Sequence, residues 1–183
     1  MDHGLTGIIE THTGQVRFDE GRGYAEKDWG RSFPQAWIWA QCNSFAQPGV
    51  SVTVSVVRVP WLRSAFTGVI VGVLLDGRLF RFATYTGARL EYLKTAEGTA
   101  ELVVADESHR LSVRLSGAAP GTLRSPVLGG MAGTVYETLT GEMHVTLEAL
   151  GNGRRETLLD AHSTRAAVEL MDEQGVLAPD GRD

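Results

Sequence analysis

FTGVIVGVLLDGRLFRFATY, residues 66–85, decides the fold class. Two apolar runs of strand length flank Asp76-Gly77, and a two-residue connection ending in glycine suits a β-hairpin because glycine tolerates positive φ. Outward from this hairpin, turns are expected at Thr86-Gly87, Glu97-Gly98, Asp106 to Ser108, Ala119 to Gly121 and Gly151 to Gly153. Between them the hydrophobic period is often two. Leu111, Val113 and Leu115 alternate with Arg110, Ser112, Arg114 and Ser116, and Met143, Val145 and Leu147 alternate with Glu142, His144, Thr146 and Glu148. Such strands are wet on one face. The 22 glycines and the lack of any long helical period complete an all-β, antiparallel pattern of about ten strands with short connections. A meander of that kind curls into a barrel or a partly open barrel, since closure removes exposed edges. The expected organisation is one barrel-like domain over residues 1–170 and a polar, flexible tail over 171–183.

Composition narrows the function classes. A chain of 183 residues fits a single domain with a substantial core. Its formal net charge is -5 and no Lys/Arg block stands out, so nucleic acid is not an expected partner. The longest apolar run, Val69 to Leu75, is broken by Gly72 and falls well short of the ~20 residues of a membrane-spanning helix. The first residues carry no secretory signal, and the lone Cys42 forms no internal disulfide, which points to a reducing cytoplasm.

One segment departs from the strand pattern. Alternation from Ala36 to Phe45 puts Trp37, Trp39, Gln41, Asn43 and Phe45 on one face and Ala36, Ile38, Ala40, Cys42 and Ser44 on the other. Large aromatics followed by two amides suit a mostly apolar ligand cavity with a few orienting groups, or else a wide barrel core whose amides bond to backbone. Burial on both sides of this strand implies a further covering surface, supplied by self-association or by an absent half. Just before it, Tyr24, Glu26, Lys27 and Asp28 crowd into YAEKDWG, followed by Trp29, Phe33 and Pro34.

G-Y-A-E-K-x-W-G, then F-P, then W-x-W-x-Q-C-N-x-F, resembles the signature of tocopherol cyclase and its bacterial relatives. Weaker similarity runs through SPVLGGMAGTVYETLTGEMHVTLEA, where Met131, Val135, Glu137 and Gly141 resemble the family's late strand pair, and on to TRAAVEL. The resemblance implies a lipocalin- or calycin-like barrel and a role in vitamin E biosynthesis. Family members are considerably longer and carry an upstream half with an E-G-W-Y-like motif, so this sequence resembles the C-terminal half of a larger two-part fold.

The chemistry implied by that resemblance is an isomerisation. The first double bond of a prenyl tail is protonated and the hydroquinone oxygen captures the tertiary cation, which calls for no cofactor and no metal. An unactivated alkene is a weak base, so a carboxyl of reference pKa about 4 must be kept protonated near neutral pH by desolvation or a like charge. Glu26 and Asp28 are the candidate catalytic pair, or else ionised groups tied to Arg31 and Arg22. Trp29, Trp37 and Trp39 would face the cation, while Tyr24, Gln41 and Asn43 would orient the phenolic oxygens. The expected partner is a hydrophobic prenylated small molecule, with peripheral contact to a membrane. Hydration of an isoprenoid double bond and non-enzymatic binding of an isoprenoid are the alternatives.

The remaining constellations carry less. His3, His12, His109, His144 and His162 match no metal-binding spacing and are expected at the surface or hydrogen-bonded. Cys42 is expected to be packing, and Gly129, Gly130 and Gly133 to mark a bend or a close strand contact. Glu137 and Glu169 lie in β-like segments and either face the cavity or stand exposed, as isolated acids in strands usually do.

Overall fold

The computed structural model describes residues 1–27, 29, 33–61, 64–117, 120–127, 130–151 and 153–178. In chain order the strands are His3–Leu5 (β1), Ile8–Thr11 (β2), Gly14–Arg17 (β3), Gly21–Gly23 (β4), Trp37–Cys42 (β5), Val50–Trp61 (β6), Ser64–Leu75 (β7) and Arg78–Ala83 (β8). They continue with Arg89–Ala96 (β9), Thr99–Ala105 (β10), His109–Ser116 (β11), Gly121–Val127 (β12), Gly130–Gly151 (β13) and Arg154–Met171 (β14).

At the Asp76-Gly77 connection φ is 49° and 81°, the left-handed pair that a two-residue hairpin demands, and the β7–β8 ladder closes on Leu75 and Arg78. The neighbouring turns form as expected: Gly87, Gly98 and Gly153 have positive φ, and Asp106 Oδ1 accepts from the backbone N–H of Ser108 and His109 at 2.7 Å each.

Ten strands form one antiparallel sheet in the order β8-β7-β6-β5-β14-β13-β11-β10-β9, with β12 added to β13. Followed round, the path keeps chain order and returns from β14 to β5. Among the described residues only β8 and β9 lack a connecting ladder, and the short turn Thr84–Thr86 lies between them. The result is a curled, partly open barrel. Two short ribbons, β1 with β4 and β2 with β3, come from the first 23 residues.

Alternation sends one set of side chains inward. Ile38, Ala40 and Cys42 meet Val52, Val54 and Val56, then Val69, Val71 and Val73, then Phe80 and Phe82, in a single cluster that continues to Leu102, Leu111, Val113, Met143, Val145 and Leu147. Each fully buried Val or Leu contributes about 1.5–3 kcal/mol. The alternating residues of 111–115 and 143–147 are all in this cluster, at most 3% exposed. The inside of the barrel is therefore filled with aliphatic side chains at the level of β5. The face bearing Trp37 and Trp39 points outward. Phe45 departs from the expected alternation: β5 ends at Cys42, and Phe45 turns into the core.

Part of the segment beyond 171 is docked. Leu177 is fully buried in the core, its carbonyl accepts from Thr67 Oγ1 at 3.3 Å, and the Val176 N–H bonds Asp172 Oδ1 at 2.8 Å. Leu177→Ala is expected to cost about 2 kcal/mol in denaturant unfolding, the low end for a buried leucine, because a terminal segment can settle into the space left. Among the described residues no helix is long and apolar enough to cross a membrane.

Candidate active site

The outward face of β5 carries Trp37, Trp39 and Gln41 in successive rows. Antiparallel register fixes their neighbours, because directly paired residues share a face. Trp39 stands between Ser55 on β6 and Glu169 on β14, and Glu169 in turn pairs with Glu137 on β13. Trp37 lies one row on, between Val57 and Met171. A row of one indole and two carboxyls thus crosses three strands.

The N-terminal segment is laid over part of this face. Ser51 Oγ donates to the Met1 carbonyl at 3.1 Å, and Arg22 pairs with Asp2. Tyr24 O–H reaches Thr53 Oγ1 at 3.1 Å and donates to Glu26. The same Glu26 oxygen accepts from Trp39 Nε1 at 3.2 Å. Arg22 is thus engaged by Asp2 and does not hold Glu26. Asp28 and Arg31 lie outside the described residues.

Between the strands and this segment is a cavity of about 680 Å³, within the usual range for small-molecule sites. It is lined by Glu26, Trp29, Phe33, Pro34, Trp37, Trp39, Ser55, Val57, Pro126 and Glu169. Phe33 meets Trp37 edge-on, with ring centroids 5.5 Å apart, and its N–H bonds the Pro126 carbonyl of β12 at 3.2 Å. Trp29 is 86% exposed, at the rim. Lys27 Nζ sits 5.9 Å from its ring centre.

Glu169 is the acid whose placement the sequence left open between cavity and solvent. An isolated acid in a strand is usually exposed, yet here Trp37 Nε1 donates to its Oε2 at 2.6 Å and the carboxyl is half-buried. Burial pushes its pKa above the ordinary value of 4.5; the Trp37 hydrogen bond opposes this, and the charges of Glu137 and Glu26 add to the rise. The signal available in sequence was the pairing itself. TRAAVEL places an acid opposite WIW only once β14 is known to close on β5.

Of the residues singled out from sequence, the structure brings Glu26, Trp29, Trp37 and Trp39 to one cavity, with Tyr24 one hydrogen bond away. Gln41 pairs with Thr53 a row further along, and Asn43 follows the end of the strand; neither lines the cavity. Their side-chain nitrogens are buried without a hydrogen-bond partner among the described residues. His3 and His12 are exposed, His109, His144 and His162 face acidic side chains, as His144 with Asp160 at 2.7 Å, and the described residues hold no cluster of His, Cys, Asp or Glu suited to a metal. Cys42 is buried core, and Gly133 lies so close to Ser125 that a side chain would collide with it.

Residues 1–171 match the tocopherol cyclase-like family. A chloroplastic tocopherol cyclase of Zea mays is 30% identical over 181 residues, covering 93% of this chain and 38% of its own length. A probable chloroplastic tocopherol cyclase of Oryza sativa subsp. japonica is 29% identical over 175 residues, covering 90% of this chain and 37% of its own. This chain therefore spans little more than a third of the length of the curated relatives it matches. No solved structure matches it. On a match that covers nearly the whole sequence and takes in the signature strand, the cavity and Glu169 alike, the chain belongs to the tocopherol cyclase-like family.

Proposed function

We propose that this cavity is the acid centre of a tocopherol cyclase-like isomerase that closes a prenylated hydroquinone to a chromanol. The observation that carries it is Glu169, a half-buried carboxyl held between indoles in a cavity of small-molecule size. Protonating an alkene needs an acid that is still neutral near physiological pH, and burial beside like charges is the way a carboxyl becomes one. Glu169 is the proton donor in this scheme.

The electron count closes within the substrate. A proton from Glu169 adds to the double bond nearest the ring, leaving a tertiary cation, and the phenolic oxygen forms the new C–O bond while its own proton departs. Glu26, with Tyr24 donating to it, takes that proton, and its return to Glu169 restores the starting state. Asp28, two residues beyond Glu26, keeps a claim to the same role through the sequence motif. The indole faces of Trp37, Trp39 and Trp29 offer negative quadrupoles to the cation without adding a nucleophile. Gln41 and Asn43, which do not line the cavity, have no role in this scheme.

Incubation with a prenylated hydroquinone followed by mass analysis tests the proposal. Ring closure conserves mass, hydration adds one water, and mere binding leaves the compound unchanged; either of the last two results overturns it. A finer check concerns Trp37, whose N–H favours the ionised form of Glu169. Trp37→Phe keeps a ring and removes the donor, so the alkaline limb of the pH–rate profile is expected to move to higher pH. An unmoved limb would separate Glu169 from the proton transfer.

A further inference from the structure

We propose that the bare outer face of β6 and β7 beside the cavity binds the isoprenoid tail of the substrate, an inference that rests on the ring-closing function proposed above. The reacting double bond is the one nearest the ring. When it lies against Glu169, the rest of the tail must leave the cavity over some part of the surface.

One wall leads outward along mostly apolar side chains, with Ser55 at its start and Ser64 beside Trp61 at its end. Ser55 and Val57 line the cavity, and their partners across the β6–β7 ladder are Ile70 and Gly68. Next along the same face come Val59, paired with Phe66, and then Trp61. At Gly68 a Cβ would lie 3.1 Å from Val59 Cγ2 and 3.5 Å from Phe66 Cε2, so these side chains close over the glycine and form a continuous floor. From Val57 to Trp61 this floor runs about 13 Å.

Several of its side chains are exposed. Ile70 is 53% exposed, Trp61 63% and Phe66 37%, whereas the adjoining rows at Ser51 and Gly72 are covered by Met1. The uncovered part begins where the cavity ends. A hydrocarbon chain offers no hydrogen-bonding group, so a strip of valine, phenylalanine and tryptophan is the chemistry that would hold it. On the opposite side of the row the cavity meets Glu169, whose neighbour across the ladder is Glu137, and carboxyls there disfavour apolar contact.

The test uses prenylated hydroquinones whose first double bond is reduced, so that they cannot cyclise, with tails of one, two and four isoprene units. Titration calorimetry on the whole chain should show affinity rising about tenfold or more from the shortest tail to the longer ones. In the double variant Trp61→Ser, Phe66→Ser that gain should vanish, while the shortest compound binds as before; both positions are solvent-exposed, and an unchanged thermal midpoint verifies the fold. Affinity independent of tail length, or a gain that survives the double variant, overturns the tail site and leaves the ring site standing. Binding of none of the compounds overturns both. If the double variant instead loses binding to phosphatidylcholine–phosphatidylglycerol vesicles and keeps the tail-length gain, the strip is a lipid-facing surface and the proposal fails.

Discussion

Glu169→Gln is expected to lower the rate of ring closure by about 10²–10⁴-fold, the contribution of a positioned general acid, while leaving the barrel folded. The amide keeps the shape of the carboxyl and can still meet Trp37, but it has no proton of useful acidity to give. The pH dependence follows from the direction of the shift. Folding raises the pKa of Glu169 above 4.5, so the wild-type rate should fall as pH rises through the raised value and the acid ionises. Stability moves the same way: between the unfolded and folded pKa values the native state binds the extra proton, so raising pH through that window weakens folding, and the loss levels off above it. The glutamine variant has no such dependence. Comparing the two proteins at about pH 4 and pH 8 by chemical denaturation should therefore show the variant gaining ground as pH rises. A variant that cyclises at wild-type rate, or a stability difference that is flat with pH, would remove Glu169 from its assigned role.

Gly141→Ala should be the most destabilising of the small substitutions, by about 3 kcal/mol. Glycine 141 sits where the β13–β14 register shifts twice, between Thr138 and Met143. A Cβ there would lie 2.7 Å from Val168 Cγ2, 2.8 Å from the Ser116 carbonyl and 3.2 Å from the Ala166 carbonyl. Two of these neighbours are backbone and cannot rotate away, so the added methyl must spread β11 and β14 from β13. The adjacent residues Val168 and Glu169 would move with the strand. The variant is thus expected to lose activity in step with stability, whereas Glu169→Gln separates the two; urea unfolding followed by fluorescence measures the first quantity.

The fold was legible because its determinants are local. Asp76-Gly77, the other turn residues and the period-two runs of 111–115 and 143–147 each specify their own conformation, and these are the elements that matched. The site was legible only in its near half. Glu26, Trp37 and Trp39 lie within one short stretch, and the motif they share was visible. Which way the tryptophans pointed was not, since alternation gives two faces but not which one is inside; that depends on the valines of β6 and β7, all of whose inward members are smaller. Phe45 was misplaced because alternation was carried past the end of β5. The placement of Glu169 stayed open between cavity and solvent because its burial is created by a strand pairing far apart in the chain, and no local pattern encodes that.

The indole of Trp37 and the carboxyl it holds are 132 residues apart and meet in the ladder that completes the circuit of strands. Hairpins such as β6–β7 and β10–β11 form from neighbours, but β5 cannot find β14 until everything between them has been laid down. Long-range pairing of this kind pays its loop-closure entropy before any contact repays it, which makes it slow to form and early to open. During synthesis, and in any partly unfolded state, Glu169 is an ordinary solvated carboxylate without the burial that raises its pKa. The raised pKa of Glu169 is thus a property of the β5–β14 closure, and under the proposed function a nascent or damaged chain would be chemically silent.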